Sequence, residues 1–404
     1  MSQSRGPARR GTPRRPRALA LACESLERRE LLATFAARPE HVLPVAEVRA
    51  MALPGRAAAR AVAGPQARVA ALDQALRRVM AEYHVPGAVA VVTTPGKRPW
   101  TAARGLADVD SGRPMVLGER FQVRSVAKSF TTTLILKLAR AGRLALADPI
   151  GRYVPGIPDG DRITLAQLAG MRSGVKDYTA TQGFADAFTA DPGRPWTARE
   201  LVSLATPESP VFEPGARYDY SNTNTVLLGI VAEEVTGRPL ARALRSQIFG
   251  PLGLARTSYQ TGIARGNPQP TPYEVDPDDG QVEALPQANL SSLAGSGAVV
   301  MTVPDLARWG RALGTGRLIG TSLLQLREGQ AIPPANGPEY DRYGLGIGEL
   351  KGWWGHTGQG FGFQAATFYD PATRSVIAVA TNSSQPENVA TQIFKALADV
   401  VRPA

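Results

Sequence analysis

The sequence holds a single cysteine, Cys23, and three histidines, His41, His84 and His356. One thiol cannot close a disulfide within the chain, and no Cys-based zinc site can be built from it. Three scattered histidines do not make a His-rich metal site, so neither a metal nor any other cofactor is expected. No apolar run approaches the roughly 18 residues that a membrane-spanning helix needs. Gly-x-Ser-x-Gly, the turn that presents the nucleophile of many Ser-His-Asp hydrolases, is missing as well, and only His356 stands in a context that suits a catalytic imidazole. Lysine occurs six times, so arginine carries most of the positive charge.

That charge is unevenly spread. The net charge is +11, but residues 1–70 hold 13 Lys+Arg and 5 Asp+Glu, a net of +8, and the rest of the chain holds 33 and 30, a net of +3. The basic balance therefore belongs to the N-terminal tail. The body has no basic stripe of the kind a nucleic-acid groove needs, so nucleic acid is not an expected partner. Apolar residues make up 43% of the chain, enough for a large core.

In the tail, Arg5, Arg9, Arg10, Arg14, Arg15 and Arg17 precede a short apolar run, Ala18 to Cys23. A secretory signal has an apolar core of about 7–15 residues, so this short run is marginal for one. Leu26-Glu27-Arg28-Arg29-Glu30-Leu31-Leu32-Ala33 resembles a short segment near the start of many exported bacterial proteins. Export to the periplasm or cell envelope is the expectation, with a plain basic tail as the alternative. A lipid anchor on Cys23 is disfavoured, because Ala20 stands where a lipoprotein signal usually has Leu. Ala36 to Ala67 is rich in Ala, Pro and Arg with little periodicity and reads as a linker. The boundaries are thus a targeting segment and linker over 1–65 and one folded body over 66–404.

Within the body, Val69, Leu72, Leu76, Val79, Met80 and Tyr83 recur at steps of three and four and predict a helix. Ala88 to Thr93 and Trp100 to Leu106 predict strands around the Pro95-Gly96 turn. Ser125 is predicted to open a strong helix through Phe130, Leu134 and Leu138, stopped by Gly142. From about 145 to 335 the pattern is mostly helical with long loops. Ser221 can cap a helix ending at Gly237, and Thr302 one with Pro304 in its first turn. The long loop over 265–292 has room for a hairpin at Asp279-Gly280. Strands return at Tyr343 to Leu350, Gln364 to Tyr369 and Ser375 to Thr381, before a last helix near Asn388 to Val401. The fold class expected is α+β: an antiparallel sheet built from both chain ends, flanked by helices, with a mostly helical insert.

Three motifs carry chemistry. In Ser125-Val126-Ala127-Lys128, residues three apart share a helix face, so Lys128 can take the proton that a serine must lose to become a nucleophile. The lysine must be neutral to do so, which burial favours. A second Ser-x-x-Lys, Ser173 to Lys176, is interrupted by Gly174 and launches no apolar helix; it reads as a loop pair. In Tyr220-Ser221-Asn222, a phenol can pass a proton and an amide can hold a carbonyl or orient the lysine; a core tyrosine and a helix cap would look the same. In His356-Thr357-Gly358, flanked by glycines, a backbone comes close to a ligand or makes a tight turn.

Ser-x-x-Lys, then Tyr-x-Asn, then His-Thr-Gly, in this order, resembles the penicillin-recognising serine hydrolases, which include class C β-lactamases, D-alanyl-D-alanine carboxypeptidases and related esterases; the signature is a recognised one. Val85-Pro86-Gly87, Ile163-Thr164-Leu165, Phe212-Glu213-Pro214-Gly215 and Pro251-Leu252-Gly253-Leu254 extend the likeness over about 70–400. The resemblance implies a β-lactamase/transpeptidase-like fold and an acyl-enzyme on Ser125, with Lys128 and Tyr220 sharing the base work. It also implies Asn222, His356, Thr357, Gly358 and Gln359 at the substrate, His356 and Thr357 lining the cleft on an edge strand, and an oxyanion hole of the Ser125 and Gln359 N–H groups.

The chain departs from the family at two places. β-Lactamases usually have Lys where this chain has His356, and Met171-Arg172-Ser173-Gly174 stands where the family often has His-Thr-Ser-Gly. The first departure favours a D-alanyl-D-alanine carboxypeptidase or esterase over a class C-type β-lactamase. A catalytically weak penicillin-binding module is the remaining alternative. The partner expected is a small-molecule, peptide or ester substrate.

Overall fold

A computed structural model of the chain describes residues 64–206, 210–264 and 268–403. The basic segment read as a targeting signal, almost all of the linker, and residues 265–267 of the long loop lie outside the described residues. No helix among the described residues is long and apolar enough to cross a membrane.

The described residues open with helix α1 (Pro65–Glu82), whose Leu72, Leu76 and Val79 are buried at the predicted spacing. Strands β1 (Gly87–Thr93), β2 (Trp100–Asp108) and β3 (Arg113–Pro114) come next. Far along the chain come β4 (Arg342–Tyr343), β5 (Gly348–Leu350), β6 (Trp353–Gly360), β7 (Phe363–Tyr369) and β8 (Val376–Thr381). Together they make one eight-stranded sheet in the order β3-β2-β1-β8-β7-β6-β5-β4. The pairs are antiparallel, and the join between the two chain ends is β1 on β8, with Val89 opposite Ala380 and Ala90 opposite Val379. A sheet built from both ends of the chain was the expected architecture.

Both faces of the sheet are covered, which is why β1 reads as a continuous apolar run. Ala88, Ala90 and Val92 pack with α1 and the last helix, α5 (Val389–Val401), in one core. Val89 and Val91 face the other, larger core, to which α2 (Ala127–Arg140) and α4 (Val303–Gly314) contribute Phe130, Leu134, Leu306 and Trp309. Helix α3 (Asn222–Thr236) runs against α2. Thr302 caps α4 as expected, its hydroxyl accepting from the Asp305 N–H.

Three details differ from the sequence reading. Tyr343 to Leu350 is not one strand: β4 and β5 pair with each other, because Gly346 takes a left-handed φ of 63° where a Cβ would collide with Thr132. Ser221 occupies the cap position of α3, but its hydroxyl makes no capping bond. Thr223 ties that end instead, accepting from the Tyr178 N–H and donating to the Lys176 carbonyl. Finally, the insert contributes strands to a small sheet that the reading did not include: Val299–Thr302 and Ser258–Tyr259 pair there with Arg120–Gln122 from before the insert. The hairpin expected at Asp279-Gly280 is present, with Tyr273–Val275 paired to Val282–Ala284.

Candidate active site

Ser125 lies in a 3₁₀ turn, Arg124–Val126, that runs directly into α2. Val123 and Val126 are buried and pin the turn, while Ser125 alone in this stretch is partly exposed. Arg124 before it has φ of 50°, a conformation that long side chains seldom take. Its guanidinium donates to the Phe361 carbonyl at 2.7 Å, so the turn is tied to the β6–β7 hairpin. Helix α2 is sunk in the core. Phe130 stacks on Trp309 with centroids 3.8 Å apart, and Trp309 Nε1 donates to Ser129 Oγ at 2.9 Å. The buried Arg327 donates to Thr133 Oγ1 and to the Ser129 carbonyl, bracing the same turn from behind.

Lys128 is fully buried. Its Nζ donates to Ser125 Oγ at 2.9 Å, to Asn222 Oδ1 at 2.6 Å and to the Ser296 carbonyl at 3.1 Å. Burial pushes its pKa down to about 7, against the opposing pull of the Asp177 carboxylate. A substantial share of the lysine is therefore neutral near pH 7, the state a general base needs.

The two helix starts meet here. Asn222 is the first residue of α3, and its amide is oriented from behind: Nδ2 donates to Asp177 Oδ2 at 2.8 Å and to Thr179 Oγ1 at 3.3 Å. The amide oxygen is thereby turned toward Lys128. Asp177 is itself pushed up by burial and held down by the Thr179 and Asn222 donors. Tyr220 places its ring 5.0 Å from Lys128 Nζ. Its hydroxyl is buried and makes no hydrogen bond of ordinary geometry. Burial raises its pKa well above the usual phenol value, with Ser125 pulling the other way.

Strand β6 supplies the third wall. Gly358 faces the Ser125 turn so closely that a Cβ there would fall 2.2 Å from the Val123 carbonyl and 2.9 Å from Ser125 N. The glycine is required by the approach of two pieces of this chain. β6 is not the edge of the sheet, since β5 and β4 lie beyond it. Yet β5 pairs only with Trp353 to Gly355, so residues past that point have no strand on their outer side among the described residues. The Thr357 N–H donates instead to the Tyr340 hydroxyl at 2.8 Å. Gln359, two residues on, presents its N–H to the same side. The Gln359 side chain is exposed, and its Nε2 donates to the Gln385 and Pro386 carbonyls.

The expectation that His356 lines the cleft is not met: it shares a face of β6 with Gly358, the face toward the Ser125 turn, but its side chain is covered there. The imidazole is fully buried. Nδ1 lies 2.6 Å from the Thr357 carbonyl, which can only accept, so Nδ1 carries the proton. Nε2 then accepts from the Tyr343 hydroxyl at 3.0 Å. Burial pushes the His356 pKa down to about 3, and the imidazole is neutral. Thr357 is buried as well, its Oγ1 2.8 Å from the Tyr340 hydroxyl. Ser125, Lys128, Tyr220, Asn222 and the Gly358-Gln359 backbone converge; His356 sits behind them.

The second Ser-x-x-Lys stays out of this cluster. Ser173 is buried, its hydroxyl donating to Asn224 Oδ1 and accepting from the Val175 N–H. Sequence reasoning missed Asp177, Ser296, Tyr340 and Tyr343. Asp177 stands directly after the second motif, and that position is its one local signal; nothing local marks the others. Among the described residues, no group of three or more His, Cys, Asp or Glu side chains could hold a metal ion.

The family model described as Beta-lactamase matches residues 72–402. Esterase EstB of Burkholderia gladioli is 30% identical over 329 residues, covering 75% of this chain and 80% of the esterase. A D-aminopeptidase of Brucella anthropi is 30% identical over 239 residues, 59% of this chain, and this match spans only 44% of that longer protein. Among solved structures, a D-stereospecific amidohydrolase from Streptomyces sp. matches with a TM-score of 0.71 and 32% identity, over 81% of this chain and 97% of that one. This chain belongs to the beta-lactamase family of serine hydrolases, alongside relatives named as peptidase, amidohydrolase and esterase.

Proposed function

We propose that the chain is a serine acyl-hydrolase working through an acyl-enzyme on Ser125, with D-aminoacyl amides or peptides and simple esters as acyl donors. The observation that carries this reading is the hydrogen bonding of Lys128 Nζ. One buried amine holds the nucleophile on one side and the oriented Asn222 amide on the other.

Neutral Lys128 takes the proton of Ser125 Oγ as the oxygen attacks the substrate carbonyl. The oxyanion forms beside Ser125 N–H and the Gln359 N–H that faces the open side of β6. Tyr220, kept protonated by burial, gives its proton to the leaving amine or alkoxide and recovers one from the Lys128 ammonium. Water then attacks the ester carbonyl by the reverse proton path, which releases the acid and restores Ser125.

Two features favour amides and esters over β-lactams. Relatives with related sequence are named for D-aminopeptidase, D-stereospecific amidohydrolase and esterase activity. In addition, the position where β-lactamases usually carry a lysine holds a buried, neutral His356, so this strand offers no cation to a β-lactam carboxylate. Rates on D-alanine p-nitroanilide, p-nitrophenyl acetate and nitrocefin, measured from pH 5.5 to 8.5, test the reading. The anilide or the ester is expected to exceed nitrocefin; nitrocefin fastest at every pH would make the enzyme a β-lactamase despite its histidine.

A further inference from the structure

A row of aromatic rings that the proton chemistry does not use spans the space between the two halves of the site. Tyr178, next to the Asp177 that orients Asn222, meets Phe184 edge to face at 5.1 Å between centroids. Phe184 stacks on Phe188, one helical turn further along Gln182–Ala190, at 5.6 Å. Phe188 then meets Phe361 edge to face at 5.2 Å. Phe361 belongs to the β6–β7 turn, and its carbonyl is the one that Arg124, the neighbour of Ser125, holds at 2.7 Å. The row thus begins one residue from the group that fixes Asn222 and ends on the group that fixes the nucleophile turn.

Its two ends differ in exposure. Tyr178 and Phe184 are buried, whereas Phe188 and Phe361 are only half-buried. Phe361 is also held in an unfavourable conformation. Gly360 pairs with Phe363, so Phe361 and Gly362 form a two-residue hairpin loop in which both have positive φ, 38° and 82°. Such loops favour Asn, Asp or Gly at the first position, and a bulky aromatic there costs conformational energy. A phenylalanine in that place, with its ring reaching across to a helix of the inserted block, makes a clasp between the sheet and the insert.

We propose that Phe188 and Phe361 are specificity-determining residues that form an apolar wall beside Ser125, and that they select acyl donors bearing an aromatic or bulky apolar group. The inference rests on the acyl-enzyme reading of Ser125. Aromatic faces and edges gain most from apolar and aromatic partners, and a small acyl group leaves this wall unused. The energy released on the wall holds the acyl carbonyl at Ser125, so it raises kcat/KM for large donors and not for acetyl.

The test compares kcat/KM for p-nitrophenyl phenylacetate and p-nitrophenyl acetate in the wild type, Phe188→Ala, Phe361→Ala and Phe188→Leu. Melting temperatures measured in parallel identify any variant that fails to fold, and Phe188→Leu keeps the apolar volume on a helix that tolerates it. The ratio of phenylacetate to acetate is expected to fall about tenfold in each alanine variant and by less in Phe188→Leu. An unchanged ratio, with both esters slowed alike, would mean the clasp is purely structural and would overturn the proposal. A ratio that rises in the alanine variants would also overturn it, since the rings would then be an obstruction. If the wild type hydrolyses neither ester nor the D-alanine anilide, the acyl-hydrolase reading itself has failed, a result distinct from either of these.

Discussion

Ser125-Val126-Ala127-Lys128 and Ser173-Gly174-Val175-Lys176 carry the same spacing of the same two residue types. In the first, a 3₁₀ turn passes into a buried helix, so Lys128 loses its water and its Nζ returns to Ser125. In the second, Gly174 has φ of 80°, the chain turns away, and the serine hydroxyl is spent on Asn224. In the proposed acyl-hydrolase the first pair is nucleophile and base; the second is a staple between a loop and α3. The residues around each serine make the difference: an apolar helix continues from Ser125, whereas a glycine and a polar loop come after Ser173.

Exchanging the serines is the strongest way to break this comparison. Ser125→Ala is expected to lower kcat/KM on any acyl donor by a factor of about 10³ or more, with the melting temperature little changed. Ser173→Ala should leave the rate within a fewfold of wild type. A collapse of activity in Ser173→Ala with normal folding would reverse the assignment.

Lys128→Met comes next, at about 10²- to 10⁴-fold in kcat/KM, because an isosteric apolar chain fits the core but removes the base. The wild-type pH profile carries the same information. The active form is the neutral amine, so acylation should rise as pH increases through about 7 and be lost below it. That acidic limb should be absent in the residual activity of Lys128→Met.

Asp177→Ala should cost about 10- to 100-fold in kcat, since it frees the Asn222 amide to rotate away from Lys128. The comparison sharpens if the conservative Asp177→Asn, which keeps an acceptor for Asn222, recovers part of that loss.

The smallest rate effect is expected at His356. With its pKa held near 3, the imidazole is neutral from pH 5.5 to 8.5, so no kinetic limb near 6.5 should appear and none should vanish in His356→Gln. His356→Lys should not improve handling of carboxylate substrates. It would bury an unpaired charge between Tyr340 and Tyr343 and should lower stability by about 3 kcal/mol or more, read by urea unfolding. A gain in carboxylate turnover in that variant would put residue 356 in the cleft after all.

Much of this was legible from local pattern. Helix period marks α1, which buries one regular face, while β1, α2 and the β7–β8 hairpin are marked by apolar and β-branched runs that are buried on both sides, and the spacings of Ser125 to Lys128 and of Tyr220 to Asn222 are local to the chain. What could not be read came from chain crossings. Gly346 breaks the expected 343–350 strand because it packs on Thr132, more than half the body away in sequence. The orientation of His356 depends on Tyr340 and Tyr343, whose hydroxyls reach it only after β4 and β5 fold back. Asp177 acts through Asn222, a contact that depends on where the insert sits.

The most direct test is to trap the acyl-enzyme. Incubating wild-type protein with a slowly turned-over penicillin, then digesting and sequencing by mass spectrometry, locates the modified residue. A single adduct on Ser125, absent from Ser125→Ala and retained in Ser173→Ala, is the predicted result. An adduct on Ser173, or on any residue other than Ser125, would contradict the assignment of the site.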